Sequence, residues 1–125
     1  SEVSPTGPLS EGKAHPRAYG SFPRILGTYV RDQHVLTMED AIRKFSSLPA
    51  QIVRLKDRGL LKPGFFADIT IFNPDTVKDI ATFEDPNRIS QGIEYVFVNG
   101  VLSLEHEKVT GQVGGRPLRG PGYLP

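Results

Sequence analysis

The sequence predicts an α+β fold, in which an N-terminal loop and two or three short helices precede a small antiparallel β-sheet. Apolar residues follow helical spacing only before Asp57, and strand and turn signals fill the rest of the chain. That order is typical of an α+β fold, because alternating βαβ units would mix the two signals. The pair Asn99-Gly100 between two apolar runs is the strongest hairpin signal, since both corners of a type I′ turn need positive φ.

The first helix is predicted from Phe22 to Val30. Residues 1–18 are rich in Pro, Gly, Ser and Thr and have almost no large apolar side chains, so we expect a loop there. Gly27 weakens the helix, because glycine loses more backbone entropy than alanine. Four apolar residues nevertheless recur at helical spacing, namely Phe22, Ile25, Leu26 and Tyr29.

A second helix is predicted to start at Thr37. Thr37 precedes Asp40 by three positions, a spacing that resembles a capping box. We expect one buried stripe on this helix, formed by Met38, Ala41, Ile42 and Phe45.

A third, shorter helix is predicted from Ser47, because Pro49 is tolerated in a first helical turn where its missing N–H costs little. Its apolar face is expected to consist of Ile52, Val53 and Leu55. The polar run Asp57-Arg58-Gly59 is expected to end it.

The β half begins with the segment GLLKPGFFADITIF, from Gly59 to Phe72. Pro63-Gly64 predicts a type I or II turn, because proline fixes φ at the first corner and glycine accepts positive φ at the next. The strand Ala67 to Phe72 alternates, with Ile69 and Ile71 predicted on one face. Asn73-Pro74-Asp75 is expected to stop it.

Three more strands are predicted after a long excursion through Asp85-Pro86. They are Ile93 to Val98, Val101 to Leu104, and a short strand around Lys108 to Thr110. The tail GQVGGRPLRGPGYLP is too rich in glycine and proline for regular structure.

Composition excludes several function classes. The 125 residues carry a net charge of +1 with scattered Lys and Arg, so we expect neither nucleic acid nor a membrane as a partner. There is no cysteine for a disulfide or a thiolate metal site. No apolar run approaches the roughly 18 residues of a spanning helix, and we expect a soluble, cytoplasmic protein.

Several segments together resemble one enzyme family. GLLKPGFFADITIF followed by a VNG turn resembles the C-terminal end of amidohydrolase-superfamily enzymes, where the chain leaves a metal-dependent barrel for a small β-sandwich. HPRAYGSFPRILGTYVR, TMEDAIRKFSSLPAQIV and ATFEDPNRISQGIEYVFVNG are similar to the N-acyl-D-amino-acid deacylases of that superfamily. The resemblance implies hydrolysis of the amide of an N-acyl-D-amino acid, with a zinc-bound water as nucleophile and an aspartate as general base. It also implies a last barrel segment with helices over 1–58 and a β-sandwich portion over 59–125.

The residues present do not form the metal site that this resemblance implies. A catalytic zinc needs about four ligand positions, with one left for water. The histidines are His15, His34 and His106, and none stands in an H-x-H or H-E-x-x-H spacing. A complete (β/α)8 barrel also takes about 250 residues. We therefore expect a C-terminal fragment that is inactive alone, with zinc in the full-length enzyme and none bound to this fragment.

The resemblance supplies two candidate site residues. Arg17, within His15-Pro16-Arg17, is implied to hold the substrate α-carboxylate, because a planar guanidinium matches a carboxylate bidentately. The alternative is a loop arginine with surface contacts. The catalytic aspartate of the family stands in a Ser-Asp dipeptide shortly before the HPR motif. Ser1-Glu2 is the nearest match here, so either Glu2 takes that position or the carboxylate lies upstream of Ser1.

Other polar and aromatic residues are given structural roles. His15 is expected to be an ordered loop residue, and Tyr19 and Phe22 either line a pocket or belong to the core. Asp68 is expected to orient the Pro63-Gly64 turn through backbone N–H groups. Solvated positions are expected for the trio Glu105, His106 and Glu107 in a hairpin, and for Arg116 and Arg119 in the tail.

A second hypothesis belongs to a different class, a non-catalytic β-rich module that packs against another domain or chain. A three-stranded sheet with one apolar face needs a cover, and the helices are few. This hypothesis predicts self-association through exposed sheet edges or the apolar face.

Overall fold

In the part of the chain that the structure describes, three α-helices and a π-helix precede a four-stranded antiparallel sheet. A computed structural model describes residues 7–8, 11–120 and 122–123. Its elements in chain order are α1 (Arg17–Arg24), a π-helix (Ile25–Asp32), α2 (Met38–Phe45), α3 (Ser47–Ile52), β1 (Ile69–Phe72), β2 (Ile93–Val98), β3 (Val101–Glu105) and β4 (Lys108–Val109). The predicted α+β class is confirmed. No helix within the described ranges is long and apolar enough to cross a membrane.

The first helix starts at Arg17, five residues before the predicted Phe22, so the predicted loop over 1–18 is too long. Its first turn, Arg17 to Gly20, contains no large aliphatic residue to indicate a helix, while the fixed φ of Pro16 suits a helix start. Pro23 lies inside α1 and has no N–H to donate to the carbonyl of Tyr19, four residues earlier. The hydroxyl of Ser90 donates to that carbonyl instead, at 2.8 Å.

After Pro23 the chain continues as a wider π-helix, in which the Gln33 N–H donates to the Thr28 carbonyl five residues back. Gly27 on this helix is buried, and a Cβ there would lie 2.5 Å from the carbonyl oxygen of Val77. Gly20 on α1 is equally close to Asp79, because a Cβ would lie 2.7 Å from the Asp79 Cβ. These two glycines, seven residues apart, let the helix backbone lie directly against the segment that contains Val77 and Asp79.

The second and third helices depart from the predicted packing. On α2 only Ala41 is fully buried, and Ile42 is 38% exposed, so the predicted stripe is only partly buried. On α3 the predicted apolar face is wrong, since Ile52 is 71% exposed and Ala50 is buried instead. The helix also ends at Ile52, well before Asp57, because the chain turns at Arg54 with φ of 59°.

The sheet has the order β1-β2-β3-β4. The predicted hairpin is confirmed, because Val98 pairs with Val101 across Asn99 and Gly100, whose φ values are 50° and 81°. A second tight turn at His106 and Glu107, also at positive φ, joins β3 to β4. The prediction of a hairpin at this acidic trio is confirmed. The predicted self-association stays a prediction.

The GLLKPGFFADITIF segment forms the predicted turn and a shorter strand. The Phe65 N–H donates to the Lys62 carbonyl at 3.0 Å, and Gly64 has φ of 85°, as a type II turn requires. The strand begins at Ile69, not Ala67, and its burial does not alternate as predicted, because Ile71 is 46% exposed. Asn73 ends the strand, its side chain accepting the Asp75 N–H at 2.9 Å.

The chain divides into two compact units. One contains the described residues up to Met38 together with Phe72–Ile93, and the other contains Glu39–Ile71 and the described residues from Glu94 onward. Buried apolar residues of the first unit are Leu26, Val30, Val77 and Ala81. The boundary between residues 58 and 59 expected from the family stays a prediction.

Candidate substrate-binding cleft

A cleft of about 490 Å³ lies within the first compact unit. One wall is a single face of α1, since residues three, four and seven positions apart share a face of a helix. The opposite wall is the segment from Asp79 to Glu84. The volume falls in the range of small-molecule sites, about 300–1,000 Å³. The lining residues are His15, Pro16, Arg17, Gly20, Ser21, Arg24, Asp79, Ala81, Thr82, Phe83 and Glu84.

Arg17 is an exposed residue on the α1 wall of this cleft. Within the described ranges its guanidinium has no hydrogen-bond or ion-pair partner. Its backbone N–H donates to Nδ1 of His15 at 3.1 Å. Because Nδ1 accepts, this contact fits the neutral imidazole with its proton on Nε2. The His15 ring also meets Phe83 edge-on, with centroids 5.0 Å apart and an interplanar angle of 74°.

Arg17 is the first of three arginines spaced seven residues apart along α1 and the π-helix. Nη1 of Arg24 lies 3.0 Å from Oδ2 of Asp79, whose side chain is 16% exposed. Nη1 of Arg31 donates to the carbonyl of Val77 at 2.9 Å and to that of Pro74 at 3.3 Å. Arg24 and Arg31 therefore bind the 74–79 segment. Arg17 lies at the N-terminal end of this arginine row, which consists of Arg17, Arg24 and Arg31, and its guanidinium is open to the cleft.

The other residues considered for the site lie outside the cleft. Tyr19 and Phe22 do not line it, and Phe22 is 58% exposed, so it is not a core residue either. His34 is an exposed residue at positive φ just after the π-helix. Nδ1 of His106 lies 3.0 Å from Oε2 of Glu94 in the second compact unit. Glu2 lies outside the described residues.

Family comparison agrees with the motifs in the sequence. A model of the amidohydrolase family matches residues 8–103, more than half of the chain. The chain belongs to the amidohydrolase family. This match covers both walls of the cleft and most of the sheet.

Characterised relatives place the chain near one branch of the family. It is 44% identical over 106 residues to a D-aminoacylase from Alcaligenes xylosoxydans xylosoxydans, covering 85% of this chain and 22% of that protein. It is 47% identical over 98 residues to an N-acyl-D-glutamate deacylase from the same organism, covering 78% of this chain and 20% of that protein. The chain thus spans about a fifth of the length of these relatives, and the resemblance to the N-acyl-D-amino-acid deacylases is confirmed.

Solved structures support the same relationship. A D-aminoacylase crystal structure superposes with a TM-score of 0.78 at 44% identity, over 80% of this chain and 21% of that one. The N-acyl-D-glutamate deacylase from Bordetella bronchiseptica, complexed with zinc and a phosphonate inhibitor, gives a TM-score of 0.71 at 46% identity, over 72% of this chain and 19% of that one. One D-aminoacylase structure describes a binuclear metal centre.

The described residues of this chain do not fit such a metal. In the part that the structure describes, no three side chains among His, Asp and Glu converge as a metal site requires. His15, Asp79 and Glu84 line the cleft, but Asp79 pairs with Arg24, and Nδ1 of His15 accepts the Arg17 N–H. We therefore assign no step of a reaction to a metal held by these residues.

Sequence analysis missed Arg58, the residue that holds the GLLKPGFFADITIF segment to the Asn99-Gly100 turn. Arg58 is only 8% exposed; its guanidinium pairs with Oδ2 of Asp68 and donates to Oδ1 of Asn99 at 2.5 Å. Oδ1 of Asp68 accepts the Asn99 N–H at 2.8 Å. The Asp68 prediction is therefore wrong about the turn, because this carboxylate orients Asn99-Gly100, not Pro63-Gly64. No local motif indicates this contact, because Arg58 and Asn99 are 41 positions apart in the chain.

The groups around Asp68 lower the pKa of its carboxyl. Desolvation by burial opposes ionisation of Asp68, but the Asn99 N–H and the Arg58 guanidinium outweigh it, so the pKa of this carboxyl lies below its usual range. Arg116 contributes to this lowering, and its guanidinium also lies 4.6 Å from the centroid of the Phe66 ring. Arg116 is exposed, as predicted, but it also packs on an aromatic face. Arg119 lies in the same way over Tyr123, at 3.8 Å.

Proposed function

We propose that this chain is the C-terminal part of a metal-dependent enzyme, with zinc as the metal, that hydrolyses the amide bond of N-acyl-D-amino acids. In this proposal the described cleft holds the amino-acid half of the substrate and Arg17 binds its α-carboxylate. The catalytic carboxylate is either Glu2 or a residue upstream of Ser1. The isolated chain is expected to be inactive.

The observation that carries the proposal is the open guanidinium at the end of the arginine row. Arg24 and Arg31 already have acceptors on the 74–79 segment, whereas Arg17 faces a cleft large enough for a small molecule. An exposed guanidinium offers two parallel N–H donors to a carboxylate, which fixes the orientation of a ligand as well as its affinity. Phe83 and the apolar edge of the cleft are suited to the rest of an amino acid.

The backbone of α1 determines where Arg17 can bind a substrate carboxylate. The close approach at Gly20 and the Arg24 ion pair hold α1 against the Asp79 segment, and the His15 ring accepts the Arg17 N–H. A substrate bound at Arg17 would therefore meet a donor that is carried on a held backbone. Accurate placement of this kind is what positions an amide for attack.

Substitution of Arg17 in the enzyme that contains this chain tests the proposal. Arg17→Met should lower kcat/KM for N-acetyl-D-amino acids about 100-fold, since charge-assisted hydrogen bonds contribute roughly 1.5–3 kcal/mol each. Arg17→Lys keeps the charge but loses the bidentate geometry, and the loss should be about tenfold. The corresponding carboxamides, which lack the negative charge, should lose much less.

Arg54→Lys is the matched control, because Arg54 is an exposed arginine of the other compact unit and does not line the cleft. Equal losses on acids and carboxamides would sink the role of Arg17. Metal-dependent turnover by residues 1–125 alone would contradict the expectation that the isolated chain is inactive.

A further inference from the structure

Two guanidinium groups and two carboxylates line the cleft, at Arg17, Arg24, Asp79 and Glu84. We infer that Asp79 and Glu84 determine its specificity, so that it accepts a substrate with one carboxylate and disfavours one with a second carboxylate on the side chain. This inference rests on the proposed function and names the substrate class within it: N-acyl-D-amino acids with neutral side chains.

Asp79 forms an ion pair with Arg24, so that the charge of this arginine is not available to a ligand. Its Oδ2 lies 3.0 Å from Nη1 of Arg24, and its side chain is 16% exposed while that of Arg24 is 57% exposed. Gly20 allows this approach, because the missing Cβ leaves room for the Asp79 Cβ. The charge of Arg24 is therefore compensated from within the protein, on the buried side of its guanidinium.

Without that compensation, the cleft would present two cations to one ligand. Arg17 and Arg24 are seven residues apart on the same face of α1, about 10 Å along its axis at 1.5 Å per residue. Both side chains are long enough to converge on a small dicarboxylate lying along the helix. The Asp79 ion pair is the feature that limits the cleft to a single open guanidinium.

Glu84 acts in the same direction from the opposite wall. It is exposed in the cleft lining and has no ion-pair partner within the described ranges. A second carboxylate on the substrate would meet this negative charge, and like charges at a binding site disfavour the wrong ligand.

The test uses two substrates of nearly equal shape, N-acetyl-D-glutamine and N-acetyl-D-glutamate, with the enzyme that contains this chain. The parent should prefer the glutamine derivative in kcat/KM. Asp79→Asn keeps the shape of the side chain but removes the negative charge that compensates Arg24, and it should lower that preference about tenfold, mainly through KM. Glu84→Gln should lower it about threefold, since exposed charges act through solvent.

A double variant and a matched control distinguish charge from misfolding. Arg24→Gln added to Asp79→Asn should restore the parental preference, which a merely structural role of Asp79 would not do. Asp32→Asn removes a carboxylate that pairs with Arg31 outside the cleft, and it should leave the preference unchanged.

The outcomes separate the two proposals. Failure of the parent to hydrolyse either substrate would overturn the proposed function. An active parent with an unchanged preference in Glu84→Gln, or in an active Asp79→Asn, would overturn the charge assignment alone. Failure of the double variant to restore the preference would overturn the role of Arg24.

Discussion

Gly27→Ala is the sharpest test of how the cleft is built. A Cβ at Gly27 would lie 2.5 Å from the Val77 carbonyl oxygen and 3.3 Å from Nη2 of Arg31. Ordinary van der Waals contact begins at 3.4 Å, so the helix must move away by nearly an ångström. The same oxygen accepts the Arg31 hydrogen bond at 2.9 Å, and the movement would stretch it.

The expected change in the free energy of unfolding of Gly27→Ala is the sum of opposing effects. Overpacking of this kind costs about 1–3 kcal/mol, and a weakened hydrogen bond adds about 1 kcal/mol. The better helix propensity of alanine returns about 1 kcal/mol. We therefore expect a net loss of about 2 kcal/mol in the free energy of unfolding, which lowers Tm by roughly 4 °C per kcal/mol for a chain of this length.

Urea and thermal unfolding of the 125-residue chain, followed by circular dichroism and tyrosine fluorescence, measure this loss. Gly115→Ala is the control for glycine replacement in open space, since nothing lies within 4 Å of its Cβ position. Ala18→Gly, at an exposed position of α1, measures the propensity effect alone. If Gly27→Ala is as stable as the parent, or more so, the close approach of helix and segment is refuted.

Two other substitutions follow from the hydrogen bonds. The pKa of folded Asp68 is lowered, so its carboxylate stabilises the fold above the unfolded pKa of about 4, and this contribution is lost as pH falls through the folded value. Asp68→Asn should therefore flatten the dependence of stability on acid pH in unfolding titrations. An unchanged slope would contradict this role of Asp68. Ser90→Ala leaves the Tyr19 carbonyl without its side-chain donor beside Pro23, and it should lower the free energy of unfolding by about 1 kcal/mol. Ser90→Thr keeps the hydroxyl and should lower it less. Equal losses would contradict a stabilising role of the hydroxyl.

Local chemistry explains which elements the sequence could predict. The turns at Pro63-Gly64 and Asn99-Gly100 depend on backbone preferences of the residues themselves, and both form as predicted. Strand β2 also has its predicted bounds, because the turn that follows it fixes the register. The exposed face of α3 could not be predicted, since which side of a short helix is buried depends on segments distant in sequence.

The cleft was only partly visible in the sequence. Arg17 was identified through a family motif, but its relation to Arg24 and Arg31 depends on a helix that begins at Arg17, five residues before the predicted start, and continues through Pro23. Ser90, distant along the chain, supplies the donor that Pro23 cannot.

Both glycines and arginines recur at seven-residue intervals along α1 and the π-helix, because one face of the two helices lies against the 74–79 segment. Gly20 and Gly27 bring the backbone against the 77–79 segment, and Arg24 and Arg31 then reach acceptors on that segment. Any change that moves the helix away at the glycines should therefore weaken the arginine contacts as well, and it should displace Arg17, which has no acceptor of its own in the described residues. Packing at Gly27 and ligand binding at Arg17 are thus expected to change together, although the two residues are nearly three helical turns apart.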